Sequence, residues 1–337
     1  MPDAQPSSTL THRTAPHARR SLPLRVGTRG SPLARMQTRM FLRKLAGFCP
    51  VLAQGFDDQD VFEEHLIRTT GDKVQDRSLA EIGGKGLFSK EIHEALQDGR
   101  IDFAVHSLKD LETELPSGIV LACTLPREDA RDALILGPAC DEPLTGDAFS
   151  VLPAGALIGT TSLRRQAQLL HARPDLRITL LRGNVQTRID KVAAGACDAT
   201  LLAVAGLRRL GIEAGYLPLD PEAMVPSAGQ GIVGITVRAR DTELRELLAG
   251  IEDPEARAVA TAERALLAAL DGSCRTPIGG YARLLPDRRL HLTGMVARAD
   301  GSFLLKRSVH GPAADAAVLG IELGRELRAD SPRDIFA

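Results

Sequence analysis

Along the first part of the chain, short apolar segments alternate with segments in which apolar residues recur at helical spacing. Apolar or alternating runs typical of strands lie at 22–28, 62–69, 101–106 and 119–125. Helical spacing lies over 87–97 and after Pro32, where Ser31 is the expected N-cap and Pro32 the first helical residue. Strands that alternate with helices predict a mostly parallel sheet with helices on its faces.

The same alternation begins again after residue 155. Strands are predicted at 156–159, 177–181 and 199–204, and helices at 163–172 and 185–194, with residues 160–162 capping the first of these helices. Proline-containing segments at 126–129 and 221–226 indicate two crossings between the halves. The strand predicted at 231–237 is therefore expected to return to the first half.

The pattern changes at about residue 250. An alanine-rich helix is predicted at 254–270, hairpin strands within 284–308 joined at 299–301, and a final helix at 314–328. The sequence thus predicts an α/β protein of three domains, the third a small α+β unit. Their predicted bounds are 22–127 with 227–249, 128–226, and 250–337, preceded by an extension at 1–21 that is expected to be disordered.

Composition narrows the functional classes. The 337 residues carry a formal net charge of −1, so no overall field attracts nucleic acid or a membrane. No apolar run approaches the roughly 20 residues that span a bilayer, and residues 1–21 lack the apolar core of a secretion signal, so a cytoplasmic protein is expected. The five cysteines include no CxxC pair and the eight histidines no HxxxH pair, so neither a disulfide framework nor a metal site is expected.

The strongest local motif directly follows the strand predicted at 101–106. It is His106-Ser107-Leu108-Lys109-Asp110. Because the carboxyl ends of parallel strands face the ligand crevice of open α/β sheets, a hydroxyl, a cation and a carboxylate are expected together at that crevice. The alternative is an ordinary solvated loop.

Arginines recur at the predicted strand-to-helix turns, where helix N-termini attract anions and guanidinium groups match carboxylates. The residues concerned are Arg29, Thr160, Ser162, Arg164, Arg165, Arg182, Gly183 and Arg188. Alone, each arginine is typical of a protein surface, but their recurrence predicts a ligand with several carboxylates or phosphates. No GxxxxGK[ST] or GxGxxG motif occurs, and Gly83-Gly84-Lys85-Gly86 lacks P-loop spacing, so carboxylates are favoured.

A second reactive candidate is Cys274, which lies among small, turn-forming residues after the helix predicted at 254–270. Such a position favours exposure, and the adjacent Arg275 could stabilise a thiolate. The other four cysteines are typical of inert core residues. Spacing alone leaves the chemistry of Cys274 open, because no neighbouring histidine offers a base.

These segments, in this order, resemble the porphobilinogen deaminase family from Leu24 to about Phe336. The resemblance rests on residues 28–34, 83–88, 104–110, 159–166, 181–188, 202–210 and 227–231 and on the Cys274 loop. It implies two α/β lobes like those of periplasmic binding proteins, followed by the third domain. It further implies a covalent dipyrromethane cofactor, one per chain, thioether-linked to Cys274, with Asp110 as the catalytic carboxylate.

The resemblance implies a monomeric enzyme that joins four molecules of its substrate, porphobilinogen, head to tail. It also implies which residues contact the cofactor and the substrate. Cofactor contacts are expected from Lys85, Ser107, Lys109, Asp110, Thr160, Ser162, Arg164, Arg165, Gly183 and Arg188. Substrate contacts are expected from Arg29, Ser31, Arg182, Arg188, Arg209 and Arg264. Glu81 departs from the lysine that some relatives place there, which puts one cofactor contact in doubt.

Two other classes compete with this interpretation. A two-lobed anion-binding protein without catalysis would share the first two domains, but it would give Asp110 and Cys274 no role. A transferase with a cysteine nucleophile would need a base near Cys274.

Overall fold

The computed structural model describes residues 22–49, 52, 61–73, 86–138, 140, 149–212, 215–271 and 276–336. Within these ranges the strands are β1 Leu24–Thr28, β2 Phe62–Leu66, β3 Phe103–Ser107, β4 Ile119–Thr124, β5 Asp132–Leu136, β6 Leu157–Gly159, β7 Arg177–Thr179, β8 Ala199–Ala203, β9 Leu217–Pro218, β10 Val233–Arg238, β11 Ile278–Leu284, β12 Arg289–Ala297 and β13 Leu304–Pro312.

The helices of the same ranges lie between these strands. They are α1 Pro32–Phe48, α2 Thr70–Lys73, α3 Lys90–Gln97, α4 Leu163–Ala172, α5 Val185–Ala193, α6 Val204–Arg209, α7 Thr242–Ala249, α8 Pro254–Ala269 and α9 Ala316–Ala329, with 3-10 turns at Leu108–Asp110, Ala313–Asp315 and Arg333–Phe336. The predicted N-caps are confirmed, since Ser31 Oγ accepts from Ala34 N and Ser162 Oγ accepts from Arg165 N.

The first lobe is a five-stranded sheet in the order β2-β1-β3-β10-β4. Strand β1 runs parallel to β2 and β3, whereas β10 runs antiparallel to β3 and β4. Four of the five strands therefore run in the same direction, as predicted, and β10 alone is reversed. The reason is that β10 does not follow a crossover helix of its own lobe but returns from the second lobe, as the sequence predicted.

The second lobe repeats this arrangement in the order β7-β6-β8-β5-β9. Here β5 is the antiparallel strand, and it enters directly from the first lobe. Strand β5 was not predicted from the sequence, because residues 132–136 directly follow the proline-marked crossing and open with a charged residue. Each sheet thus contains one strand delivered by a crossing segment.

The two crossings enter their sheets at the same kind of edge. Asp132, the first residue of β5, pairs with Ala203 at the carboxyl end of β8. Val233, the first residue of β10, pairs with Ser107 at the carboxyl end of β3. Because these strands are antiparallel to their neighbours, the crossing segments lie at the ends of the strands from which the predicted motifs extend.

The third domain is an antiparallel sheet, β11-β12-β13, that packs against α8 and α9. The hairpin turn predicted at 299–301 joins β12 to β13, while β11 was missed by the sequence prediction. Its core includes Leu266, Leu270 and Leu323, and it continues into Leu108 and Ile232 of the first lobe. The third domain therefore packs directly behind the turn that carries Lys109 and Asp110.

A buried carboxylate fixes this packing. Glu263 of α8 is fully buried, and its oxygens accept from Gly229 N, from Ala282 N and from Arg127 Nη1, each at 2.6 Å. Burial raises the pKa of Glu263, although Arg127 opposes this shift. The two crossing segments and the third domain thus meet at the hydrogen bonds of Glu263. Within the described residues no helix has the length and apolarity that crossing a membrane requires.

The second crossing requires glycine at one position in particular. Gly231 has φ of +87°, and a Cβ atom there would lie 2.3 Å from Glu128 O of the other crossing. Its carbonyl oxygen accepts from Glu128 N at 3.1 Å and from Arg209 Nη2 at 2.7 Å. The two crossings are consequently in backbone contact at Gly231.

We expect Gly231→Ala to destabilise the protein by at least about 2 kcal/mol, because the positive φ costs about 1 kcal/mol and the backbone of the crossings must also move apart. Gly211→Ala is the matched control, since its φ is +73° but the added Cβ would meet open space. It should cost only about 1 kcal/mol. Urea unfolding of both variants measures the difference, and equal losses would contradict the packing described here.

Candidate active site

The predicted motif forms a tight turn at the end of β3. Leu108 is buried in the core and its backbone N donates to Ile232 O at 2.9 Å, so the flanking side chains turn away from the core. Ser107 Oγ lies 2.9 Å from Gln37 Nε2 and 3.1 Å from Gln37 Oε1 of α1. The side chain of Asp110 is 30% exposed, which leaves its carboxylate accessible at this edge of the sheet.

Arg29 lies between two carboxylates. Its Nε and Nη2 donate to Asp72, and its Nη1 lies 3.6 Å from Asp110 Oδ2. Its guanidinium carbon also lies 4.2 Å from the centre of the Phe88 ring. Burial would raise the pKa of Asp72, but Arg29 holds it below its ordinary value. Asp72 therefore fixes Arg29 in place beside Asp110. Ser31, also predicted to contact substrate, is the N-cap of α1.

Arg164 and Arg165 point inward from the start of α4. Arg164 donates to Asp132 Oδ2 at 2.7 Å and to Val225 O at 2.6 Å. Arg165 donates to Asp132 Oδ1 at 2.8 Å and to Leu201 O at 2.7 Å. Both arginines are about 6% exposed, and Asp132 is fully buried. The two guanidiniums are thus gathered around one carboxylate instead of projecting freely from the helix start.

The charge of Asp132 is set by these neighbours. Burial would raise its pKa, but Arg164 and Arg165 hold it well below the usual aspartate range. Two guanidiniums around one carboxylate leave a surplus positive charge. Arg165 Nε is buried and has no hydrogen-bond partner among the residues that the structure describes.

The next strand-to-helix turn contributes Arg182 and Arg188. Asn184 caps α5 by accepting from Thr187 N at 2.9 Å, and Gly183 has φ of +133° with its carbonyl oxygen accepting from Arg188 Nε at 2.9 Å. Burial, Arg165 and Arg182 lower the pKa of Arg188 to about 10, against a smaller opposing effect of Asp110. Arg188 therefore lies in a region of excess positive charge.

Contacts also bridge the two lobes. Arg182 Nη2 of the second lobe lies 3.3 Å from Gly71 O of the first. Arg209 Nη2 donates to Gly231 O, whereas Arg209 Nε is buried with no hydrogen-bond partner within the described ranges. The cations of both lobes consequently converge on one cleft.

Lys109 lies at the junction of the lobes. Its Nζ donates to Gln230 Oε1 at 3.1 Å, and Gln230 Nε2 in turn donates to Ala130 O at 2.7 Å and to Asp132 Oδ1 at 2.9 Å. Burial and Arg165 lower the pKa of Lys109 to about 8, while Asp110 and Asp132 partly oppose that shift. Lys109 is therefore charged near neutral pH but close to titration.

Two of the remaining predicted residues support the site through backbone contacts. Thr160 Oγ accepts from Ser162 N at 3.1 Å within the cap of α4. Arg264 Nη2 donates to Glu112 O at 2.6 Å and to Thr113 O at 3.0 Å, so it binds the segment that follows Asp110. Lys85, Glu81 and Cys274 lie outside the described residues. The described residues on either side of Cys274 are Asp271, which follows α8, and Thr276.

The side chains that hold the cations and Ser107 in place were not predicted from the sequence. Asp72 binds Arg29, and Asp132 binds the arginine pair of α4. Gln230 binds Lys109, and Gln37 binds Ser107. Only the polar opening of the apolar run at 132–136 could have indicated Asp132. The others depend on contacts between distant parts of the chain.

The fold and the cleft define a class of protein: two α/β lobes and a third domain, with a cation-rich cleft suited to a small molecule that carries several carboxylates. Among the described residues, seven cationic side chains lie at these strand-to-helix turns and at the crossings, where three carboxylates bind Arg29, Arg164 and Arg165. The cations are Arg29, Lys109, Arg164, Arg165, Arg182, Arg188 and Arg209, and the carboxylates are Asp72, Asp110 and Asp132. Such a surplus favours an anionic ligand.

Comparison with known families covers most of the chain. Residues 24–246 match the family model described as "Porphobilinogen deaminase, dipyromethane cofactor binding domain", and residues 258–329 match "Porphobilinogen deaminase, C-terminal domain". The chain therefore belongs to the porphobilinogen deaminase family. The resemblance predicted from the motifs is confirmed.

Curated relatives agree over nearly their full length. The chain is 47% identical over 315 residues to the porphobilinogen deaminase of Paracoccus denitrificans, which covers 93% of this chain and 96% of the relative. It is 43% identical over 316 residues to the chloroplastic porphobilinogen deaminase of Oryza sativa subsp. japonica, covering 93% and 85%. The chain is accordingly an enzyme, and the non-catalytic anion-binding alternative is set aside.

Similar solved structures include the periplasmic aliphatic sulphonate binding protein SsuA of Escherichia coli, with a TM-score of 0.40, 15% identity and coverage of 75% of this chain and 76% of that one. The Corynebacterium glutamicum OxyR C206 mutant gives a TM-score of 0.38 at 18% identity, with coverage of 75% and 71%. These scores are too low to carry an argument, and the architecture rests on the strand orders given above.

We expect Lys109 to titrate near pH 8, since its burial and Arg165 disfavour the charged form; it is protonated below that pH and neutral above it. The chain has only seven lysines, so ¹³C-lysine labelling gives a resolvable NMR spectrum. Lys109→Arg identifies the signal by removing it. A midpoint close to the ordinary lysine value of about 10.4 would contradict the electrostatics of the cleft.

Proposed function

We propose that this chain joins four porphobilinogen molecules head to tail, with loss of ammonia from each, and releases hydroxymethylbilane by hydrolysis, with Asp110 as the catalytic carboxylate. The observation that carries the proposal is the position of Asp110, an accessible carboxylate beside Arg29 at the edge of a cleft with surplus positive charge. Membership of the family supports the reaction. The cleft supports the residue roles.

Asp110 acts on the nitrogen of the substrate ring. When the bond between the aminomethyl carbon and ammonia breaks, positive charge develops on that nitrogen, and a carboxylate held at a fixed position stabilises it. The aminomethyl carbon then forms a bond to a ring carbon of the acceptor pyrrole, which loses a proton. Arg29 keeps the Asp110 carboxylate oriented, because Arg29 is itself fixed by Asp72 and Phe88.

The cations of the cleft balance the acid side chains. Each porphobilinogen brings an acetate and a propionate, so negative charge accumulates with every addition. Arg188 makes no ion pair among the described residues, and Arg165 Nε and Arg209 Nε are buried donors without described partners. We assign these three groups, with Arg182, to the carboxylates of substrate and product.

The same observations fit a dipyrromethane group, which carries four carboxylates. Orphaned buried guanidinium nitrogens and a partly neutralised arginine pair are what such a group requires. When bound, dipyrromethane supplies the pyrrole ring to which the first substrate is joined. Cys274 is proposed as its covalent attachment. The proposed contacts of the group are Lys85, Ser107, Lys109, Thr160, Ser162, Arg165, Gly183 and Arg188. Arg164 and Arg264 support the site indirectly, Arg164 by binding Asp132 and Arg264 by binding the 112–113 backbone.

We further propose that the enzyme is a cytoplasmic monomer. Membership of the porphobilinogen deaminase family, the resemblance to which implies a monomer, supports this proposal.

We expect Asp110→Asn to lower kcat for porphobilinogen consumption by about 10²-fold or more, because an amide cannot balance the developing positive charge. The protein should still carry an intact-mass excess equal to two linked pyrrole units, located on the peptide that contains Cys274. Asp175→Asn, in an exposed ion pair with Arg173, is the control and should retain wild-type turnover. Activity above about a tenth of wild type in Asp110→Asn would remove Asp110 from this role.

We expect Arg188→Gln to lower kcat/KM by about 30-fold, corresponding to roughly 2 kcal/mol for a cation that binds carboxylate in a desolvated cleft. Arg177→Gln, an exposed arginine of β7, should change kcat/KM by less than about twofold. Steady-state kinetics compares the two. Equal behaviour of the variants would show that Arg188 does not contact the anionic side chains.

A further inference from the structure

Asp132 occupies a singular position in the molecule. It is fully buried at the first residue of β5, where the chain has just crossed from the first lobe to the second. Three donors from two separate segments converge on its carboxylate: Arg164 and Arg165 of α4, and Gln230 of the return crossing. Under the proposed function Asp132 serves only as the carboxylate partner of Arg164.

Gln230 extends these contacts to the turn at Leu108–Asp110, which carries Lys109 and Asp110. It is 1% exposed, and its amide has a single orientation that satisfies its neighbours: the oxygen accepts from Lys109 and the nitrogen donates to Asp132 and Ala130. A continuous path of hydrogen bonds of 3.1 Å or less therefore runs from Lys109 through Gln230 and Asp132 to Arg164 and Arg165.

The path joins cations that would otherwise repel one another. Lys109 belongs to the first lobe and is partly buried, whereas the arginine pair belongs to the second lobe and is about 6% exposed. A carboxylate and a polarised amide between them offset the repulsion and fix their separation. Because the path passes through both crossing segments, it lies where the lobes are joined and not on either lobe's surface.

We propose that Asp132 is a positioning residue for the reaction, which holds Arg165 of the second lobe in register with Lys109 and Asp110 of the first through Gln230. The proposal rests on the residue roles given under the proposed function. Because Asp132 is fully buried and paired with Arg164 and Arg165, we assign it no direct contact with substrate or cofactor. Its effect on catalysis is transmitted by the side chains that it holds.

Lys109 provides a readout that a purely structural role would not change. The charged groups that act on Lys109 are Arg164 and Arg165 from α4, Asp110 from its own turn and Asp132 from β5. Removing the negative charge of Asp132 leaves the repulsion of the two arginines less opposed. The charged form of Lys109 is then less favourable, so its pKa falls.

The test compares two buried aspartates that each bind two arginines. In Asp132→Asn the NMR midpoint of Lys109 should move down by about half a pH unit or more, and kcat/KM should fall about 10- to 100-fold from misplaced cations. The control is Asp102→Asn. Asp102 is 5% exposed and binds Arg25 and Arg238, but it precedes β3 and lies six residues before Leu108 along extended chain, a distance of about 20 Å. It should leave the Lys109 midpoint unchanged.

A second pair of variants covers the case in which Asp132→Asn fails to fold. Gln230→Met removes the acceptor of Lys109 without burying or removing a charge, and it should also lower the Lys109 midpoint. Gln168→Met is its matched control, because Gln168 is 4% exposed and its amide binds Arg164 O and both backbone groups of Val225. The control should not shift Lys109.

An unchanged Lys109 midpoint in folded Asp132→Asn, or in Gln230→Met if the former does not fold, would overturn the proposal. Equal losses of kcat/KM in Asp132→Asn and Asp102→Asn would overturn it as well. Failure of the proposed function would look different, since the wild-type protein would then neither carry two pyrrole units nor consume porphobilinogen, whatever the lysine titration shows.

Discussion

The molecule must keep several guanidinium groups and a lysine close together in a partly dry cleft. Neighbouring positive charges repel strongly where water is excluded, so each cation needs a carboxylate or another acceptor nearby to remain charged. The structure meets this requirement with a few carboxylates behind the cations: Asp72 behind Arg29, and Asp132 behind Arg164 and Arg165. The cations outnumber those carboxylates, so the cleft remains positive toward a ligand.

The topology places these carboxylates where they are needed. Each lobe has one antiparallel strand that arrives by a crossing, and an antiparallel strand begins where its parallel neighbours end. Asp132 and Gln230 therefore lie at the cleft because of strand direction alone. The contact between the crossings at Gly231 and the junction around Glu263 then fix the two lobes and the third domain around the same point.

This arrangement suits a reaction in which the ligand grows more acidic at each step. A cleft with fully paired cations would have nothing left for an incoming carboxylate, whereas unpaired buried cations would destabilise the fold. Partial pairing resolves the conflict. Arg165 illustrates it: two of its nitrogens bind Asp132 and Leu201 O, and its Nε has no described partner.

The sequence by itself determined six of the nine helices that the structure describes, most of the strands, the return of β10 to the first lobe and the family, because apolar spacing, caps and ordered motifs are local properties. The recurring arginines also predicted a ligand with several carboxylates, and the family resemblance added Asp110 as the catalytic carboxylate. Only the tertiary structure decided that the sheets are mixed, that Arg164 points at Asp132, and that Arg264 binds the 112–113 backbone. These depend on contacts between segments tens of residues apart, which no local pattern encodes.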